Sequence, residues 1–150
     1  MSDINRPFKF AESCMFRYLG NLARIKALQE DLKIVEAQSS VKVQNYEERS
    51  SPDGYIDNIP GRILKIDALE NLIADLERWT KPITRLLSDL ESPYSSPERQ
   101  EMLEIMRMRY ISDYPWDRCA DRLKMSRTTF FVRRKQLVEL VISYMGLSPN

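Results

Sequence analysis

Between Arg118 and Lys135 the chain carries seven basic residues, Arg118, Arg122, Lys124, Arg127, Arg133, Arg134 and Lys135, against one acid, Asp121. Guanidinium and ammonium groups at this density are suited to a polyanion, and the formal net charge of the whole protein is only +1. The basic charge is therefore a local feature, the electrostatic footprint of nucleic-acid binding. Residues 1–96 hold 13 basic and 15 acidic side chains, whereas residues 97–150 hold 10 and 7. Within the cluster the residue types divide the work. Arg127 has the planar fork that matches a guanine edge. Thr128 suits a phosphate or a base edge, Phe131 suits a thymine methyl, and Ser126 and Val132 lie on the same predicted face. Arg133, Arg134 and Lys135 would neutralise phosphates and make binding strongly salt-dependent. Surface charge on a helix is usually only a solvated face. Here its sign is one-sided and it coincides with a capped two-helix pattern.

Other chemistries find little support. There is no histidine, which removes Ser-His and Cys-His catalysis and the common zinc sites. No Gly-rich phosphate loop and no metal-spaced carboxylate cluster is present. The expectation is a protein that is not an enzyme and has no catalytic residues, metal or cofactor. Cys14 and Cys119 fall in apolar helical patterns and read as buried small hydrophobes in a reducing compartment rather than as a disulfide. No apolar run reaches membrane-spanning length, since LVELVISYM is short and carries Glu139, and MSDINRPFKF has no signal-peptide character. A cytoplasmic location follows, with no membrane partner.

A reader helix needs a scaffold. Trp116 to Leu123 predicts a short helix with Cys119, Ala120 and Leu123 inward, the small Ala120 permitting a close helix crossing. Lys124-Met125 makes a turn, with Lys124 where many such turns carry glycine. Ser126 then caps a second helix. In that helix Phe130, Leu137, Leu140, Val141 and Tyr144 recur at core spacing, while Arg133 occupies a place where an apolar residue often packs inward. The pattern is a helix-turn-helix whose second helix enters the major groove by its N-terminal part. Before it, Ser96, Pro97 and Glu98 form a helix start, and the helix over residues 97–111 should bury Met102, Leu103, Ile105, Met106 and Tyr110.

Upstream, residues 9–38 predict one long helix. Its stripe Met15, Tyr18, Leu22, Ile25 shifts phase to Ile25, Leu28, Leu32, Val35. Residues 39–61 carry loop chemistry around Pro52-Asp53-Gly54, with Val41, Val43, Tyr46, Tyr55, Ile56 and Ile59 suggesting a packed loop. Residues 62–81 return to helix with Ile66, Leu69, Ile73 and Leu76 at heptad positions. That register continues through Thr80, Ile83, Leu87 and Leu90, with a kink or break at Pro82. The expected fold is all-α. A long coiled-coil-like helical hairpin (residues 1–91, with its loop at 39–61) precedes a hinge at 92–96 and a helix-turn-helix domain at 97–150. The long helices pair within one chain or with a second subunit as a homodimer.

The segment YISDYPWDRCADRLKMSRTTFFVRRKQLVEL resembles the C-terminal region of phage late transcription regulators of the ArpU and RinA type, itself similar to the promoter-reading region 4 of sigma factors. The resemblance rests on Met108-Arg109-Tyr110, Trp116, Ala120, Leu123 and the run Ser126, Thr129, Phe130, Phe131. It is strongest over residues 97–145; upstream, only the architecture of two long helices and a loop is similar to small proteins of phages and integrative elements in Gram-positive bacteria. It implies a sequence-specific regulator that binds double-stranded DNA and activates late genes, such as those for packaging and lysis, in a bacterial host cell. Two other functions suit the same elements: a DNA-packaging recognition subunit resembling a small terminase, and a module that docks on RNA polymerase.

Overall fold

In a computed structural model the backbone is described for residues 5–49 and 58–147, and side chains for residues 5–38 and 60–147. The described residues are helical throughout their regular structure: α1 (Arg6–Phe16), α2 (Tyr18–Arg49), α3 (Asn58–Leu90), α4 (Pro97–Ile105), a π-helical stretch (Met106–Ile111), α5 (Trp116–Leu123) and α6 (Arg127–Met145). The all-α expectation holds. Among the described residues no helix is long and apolar enough to cross a membrane.

Several boundaries differ from the sequence reading. The helix predicted over residues 9–38 begins earlier, at Arg6, and is interrupted at Arg17, whose φ of −90° and ψ of −1° separate α1 from α2. The region read as a loop at 39–61 is helical as far as Arg49 and again from Asn58. The reason is compositional. Residues 39–49 contain neither Gly nor Pro, and the serines at 39 and 40 are only weak helix breakers. Pro60 sits in the first turn of α3, where its missing N–H has no intrahelical acceptor to lose. The Pro52-Asp53-Gly54 turn and the packing of the apolar residues around it lie outside the described residues.

Pro82 does not end α3, which continues to Leu90 with the proline inside it. Beside the proline, Thr84 Oγ1 donates to the Thr80 carbonyl at 3.1 Å and pairs with the Tyr18 hydroxyl at 2.6 Å. Pro82 lacks the N–H that would bond the Arg78 carbonyl, and α3 continues past it without that bond.

The chain divides into two compact units, residues 1–21 with 78–150, and residues 22–77. In the first, a single hydrophobic core joins α1, the end of α3, α4, the π stretch, α5 and α6. Phe130, Leu137, Val138 and Val141 are completely buried on α6, in one core with Met15, Ile83, Leu86, Leu90, Ile105 and Met106. Each such side chain contributes roughly 1.5–3 kcal/mol on leaving water. The link at 92–96 lies within this unit, where Ser95 Oγ donates to the Leu90 carbonyl at 2.9 Å. In the second unit Ile25 and Val35 of α2 and Leu69 and Ile73 of α3 are buried, while Ile66 and Leu76 of the heptad are half-buried.

Candidate nucleic-acid interface

α5 and α6 are joined by a tight turn that the backbone closes on itself. The N–H of Met125 donates to the Ala120 carbonyl at 3.0 Å and that of Lys124 to Asp121 at 3.2 Å. This is the double bond pattern that ends helices with a left-handed residue. Lys124 takes that conformation, at φ 55° and ψ 44°, which costs an L-residue about 1–2 kcal/mol. The same closure at the end of α6 uses Gly146, at φ 70°, with no such cost. The turn thus adopts the backbone geometry that usually goes to glycine, with a lysine in it.

Ser126 follows as the N-cap of α6. Its Oγ accepts from the Thr129 N–H at 3.1 Å and pairs with the Thr129 hydroxyl at 3.0 Å. The serine is therefore engaged in capping. The first turn of α6 contains no acid, although acids are what a helix N-terminus ordinarily favours. Arg127 stands there instead.

The residues singled out by sequence separate into two groups. Arg118, Arg122, Lys124, Arg127, Thr128, Val132 and Lys135 are exposed. Arg133 and Arg134 are not, because both turn back into the protein. Arg133 Nε lies 3.5 Å from Glu101 Oε2 of α4 without forming a hydrogen bond, and one Nη donates to Gln136 at 3.0 Å. Arg134 donates from Nε to Glu12 Oε2 at 2.8 Å and from an Nη to Oε1 at 3.1 Å. Phe131 is half-buried, with its ring 5.3 Å from that of Trp116 and 5.4 Å from that of Phe130.

Aromatic rings lie under the exposed arginines. Arg118 and Arg122, one turn apart on α5, place their guanidinium carbons 4.1 Å and 5.5 Å from the ring centre of Tyr114. Arg127 lies 5.1 Å from the ring centre of Trp116. A guanidinium stacked on an aromatic face keeps its in-plane donors free.

Glu12 was not visible as a functional residue in the sequence. It sits on α1 and also accepts from the Tyr110 hydroxyl at 2.7 Å. Burial alone would raise its carboxyl, but the hydrogen bonds from Arg134 and Tyr110 and the charges of Arg134 and Arg109 outweigh that and hold it below the ordinary carboxylate range. The bonds to Glu12 in turn raise the Arg134 guanidinium. Burial, with the Glu12 bond and charge, pushes the Tyr110 phenol up. Tyr110 belongs to the π stretch, where the Ser112 N–H reaches back to the Arg107 carbonyl at 2.9 Å. No sequence signal announces that stretch.

Cys14 and Cys119 are buried free thiols, pushed up by desolvation. Among the described residues, no group of three or more His, Cys, Asp or Glu side chains could hold a metal ion.

No curated protein and no solved structure matches the chain. A family model described as "Protein of unknown function (DUF1492)" matches residues 35–141. The matched segment contains α4, the π stretch, α5, the Lys124 turn and the basic part of α6, and leaves α1 with Glu12 outside it. Because the match spans most of the sequence, the chain belongs to the DUF1492 family.

Proposed function

We propose that this protein is a sequence-specific DNA-binding transcription regulator in which α5, the Lys124 turn and α6 act as a helix-turn-helix. The observation that carries this reading is the exposed basic surface on a rigid two-helix frame. Arg118, Arg122, Lys124, Arg127 and Lys135 are all exposed, and the buried Phe130, Cys119 and Ala120 fix the two helices that bear them. In the proposed complex, the first turn of α6 enters the major groove and Arg127 and Thr128 meet base edges. Arg118, Arg122, Lys124 and Lys135 lie along the flanking phosphates.

The regulator activates late phage genes, a role supported by the resemblance of residues 97–145 to late regulators. Its two long helices pair as an antiparallel hairpin that offers a surface to a second subunit or to RNA polymerase. The decisive experiment is genome-wide mapping of its binding sites in the native host. Occupancy of a promoter ahead of packaging or lysis genes, with lowered transcription when the protein is removed, is the expected result. Occupancy confined to a packaging site would replace this reading with that of a packaging recognition subunit, and no sequence-dependent occupancy would end both.

A further inference from the structure

Arg127 differs from its neighbours in how it is held. Its guanidinium carbon is 5.1 Å from the ring centre of Trp116 and 5.8 Å from that of Phe131. Those two rings are 5.3 Å apart and inclined at 46°. Arg134 also faces Phe131, at 5.6 Å, but its donors are committed to Glu12. Among the described residues, no acceptor engages the donors of Arg127. The result is a guanidinium with its face covered and its edge unspent, on the first residue of α6.

We infer that Trp116 and Phe131 form an aromatic shelf that sets the Arg127 guanidinium edge-outward, making Trp116 a positioning residue for the reading of guanine. The inference rests on the reading of α6 as the groove-entering helix. The physical reason is the number of rotamers. An arginine projecting freely from a helix end must give up that freedom on binding, whereas one already stacked on a ring has lost much of it beforehand. Stacking uses the π face and leaves the two in-plane N–H groups that fork to O6 and N7. Phe131, which the sequence suggests as a thymine contact, becomes the second wall of the shelf. Trp116 stands on α5, outside the helix that touches bases, so it governs specificity without contacting DNA.

The test uses the full-length protein and duplexes selected by it from a randomised library. The quantity read is the ratio of affinities for selected and scrambled duplex, across a salt series. Arg127→Ala is expected to lower that ratio about 5- to 150-fold, the factor for one bidentate base contact. Trp116→Leu is expected to lower it about two- to five-fold, the factor for an exposed cation–π contact, with the salt slope unchanged. Trp116→Phe, which keeps a ring, should restore most of the ratio. A selected duplex with 7-deazaguanine at the guanine concerned, which keeps O6 but loses N7, should distinguish Trp116→Leu from the parent less.

Arg127→Lys keeps the charge on an exposed side chain but has no planar fork to stack and aim, and should lose discrimination part of the way to Arg127→Ala. That variant carries the test if Trp116→Leu fails to fold. Full discrimination by Arg127→Lys overturns the shelf. So does Trp116→Leu with an unchanged ratio, or with both affinities lowered in parallel, while Arg127→Ala still loses discrimination. If selection enriches no sequence, or Arg127→Ala discriminates as well as the parent, the DNA reading itself falls and the shelf with it.

Discussion

Glu12 near the start of the chain and Arg134 on α6 share two hydrogen bonds, at 2.8 Å and 3.1 Å, across 122 residues of sequence. The basic cluster is therefore not all available to a polyanion. One of its arginines ties α1 to α6.

The first prediction follows from this pair. Glu12→Gln should destabilise the protein by about 1.5–3 kcal/mol at neutral pH, the range for hydrogen bonds to charged groups. The folded carboxyl is held below its ordinary range, so the carboxylate's contribution is complete above the unfolded value of about 4.3. It fades as pH falls through the lower folded value. Urea titrations of parent and variant at pH 7 and at stepped acid pH values should converge as the acid is protonated. A constant gap down to the lowest pH would mean that the pair contributes by shape rather than charge.

The two faces of the cluster should behave differently toward salt. Lys135→Ala is expected to flatten the log-affinity versus log-salt slope by roughly 0.9 on duplex DNA, one phosphate contact. Arg134→Ala should instead lower the melting temperature and leave the slope nearly unchanged, because its charge already faces Glu12. Equal slope changes would show that Arg134 leaves Glu12 when DNA arrives.

Lys124 supplies a third test. Lys124→Gly relieves a left-handed strain of about 1–2 kcal/mol and adds unfolded-chain entropy worth roughly 0.5–1 kcal/mol. The net expectation is unchanged or slightly higher stability in a thermal melt, with weaker DNA binding through loss of one positive charge. Lys124→Val, β-branched in the same conformation, should destabilise clearly. If valine is tolerated as well as glycine, the turn is not held in this geometry in solution.

A fragment of residues 97–150 should fail to fold. Ala11, Cys14, Met15 and Tyr18, with Ile83, Leu86 and Leu90, are buried in the same core as Phe130 and Leu137. At roughly 1.5–3 kcal/mol for each large apolar side chain, their removal forfeits an amount comparable to a usual stability of about 5–15 kcal/mol. Far-UV circular dichroism of the fragment should show little cooperative melting. A fragment that melts sharply would mean α1 is an accessory.

In the second unit, Leu69→Asp or Ile73→Asp places a charge at a buried position and should cost several kcal/mol, about the 3–5 of an uncompensated buried charge. Ile63→Asp, at a position that is 54% exposed, is the control and should cost little. Comparable melts for all three would put the Leu69 stripe in solvent.

What the sequence reveals here is local chemistry. Ser96 and Ser126 are recognisable as caps because the acceptor and its N–H lie three residues apart, and both bonds form, to Arg99 at 3.2 Å and Thr129 at 3.1 Å. The inward face of α6 is legible at Phe130, Leu137 and Val141 because helical period fixes it. Periodicity gives a face but not its partner. Met15 marks α1 as half-buried without saying that the π stretch and α6 cover it. Arg133 and Arg134 read as phosphate contacts because nothing near them in sequence is acidic, and their carboxylates come from α4 and α1. Serines at 39 and 40 suggest a loop by composition, where the backbone continues as helix.

The π stretch at Met106–Ile111 carries a further consequence for how this chain tolerates changes in length. Its wider turn accommodates more residues than an α-helix would over the same rise. Deleting one residue there would let the segment relax to ordinary α-helix at little local cost. The segments on either side would keep their register, whereas the same deletion within α4 would rotate everything after it by about 100°. Single-residue deletions within these six positions should therefore be accepted more readily than deletions within α4 when genetic variants are selected for function, even though both leave every helix-forming residue of α6 in place.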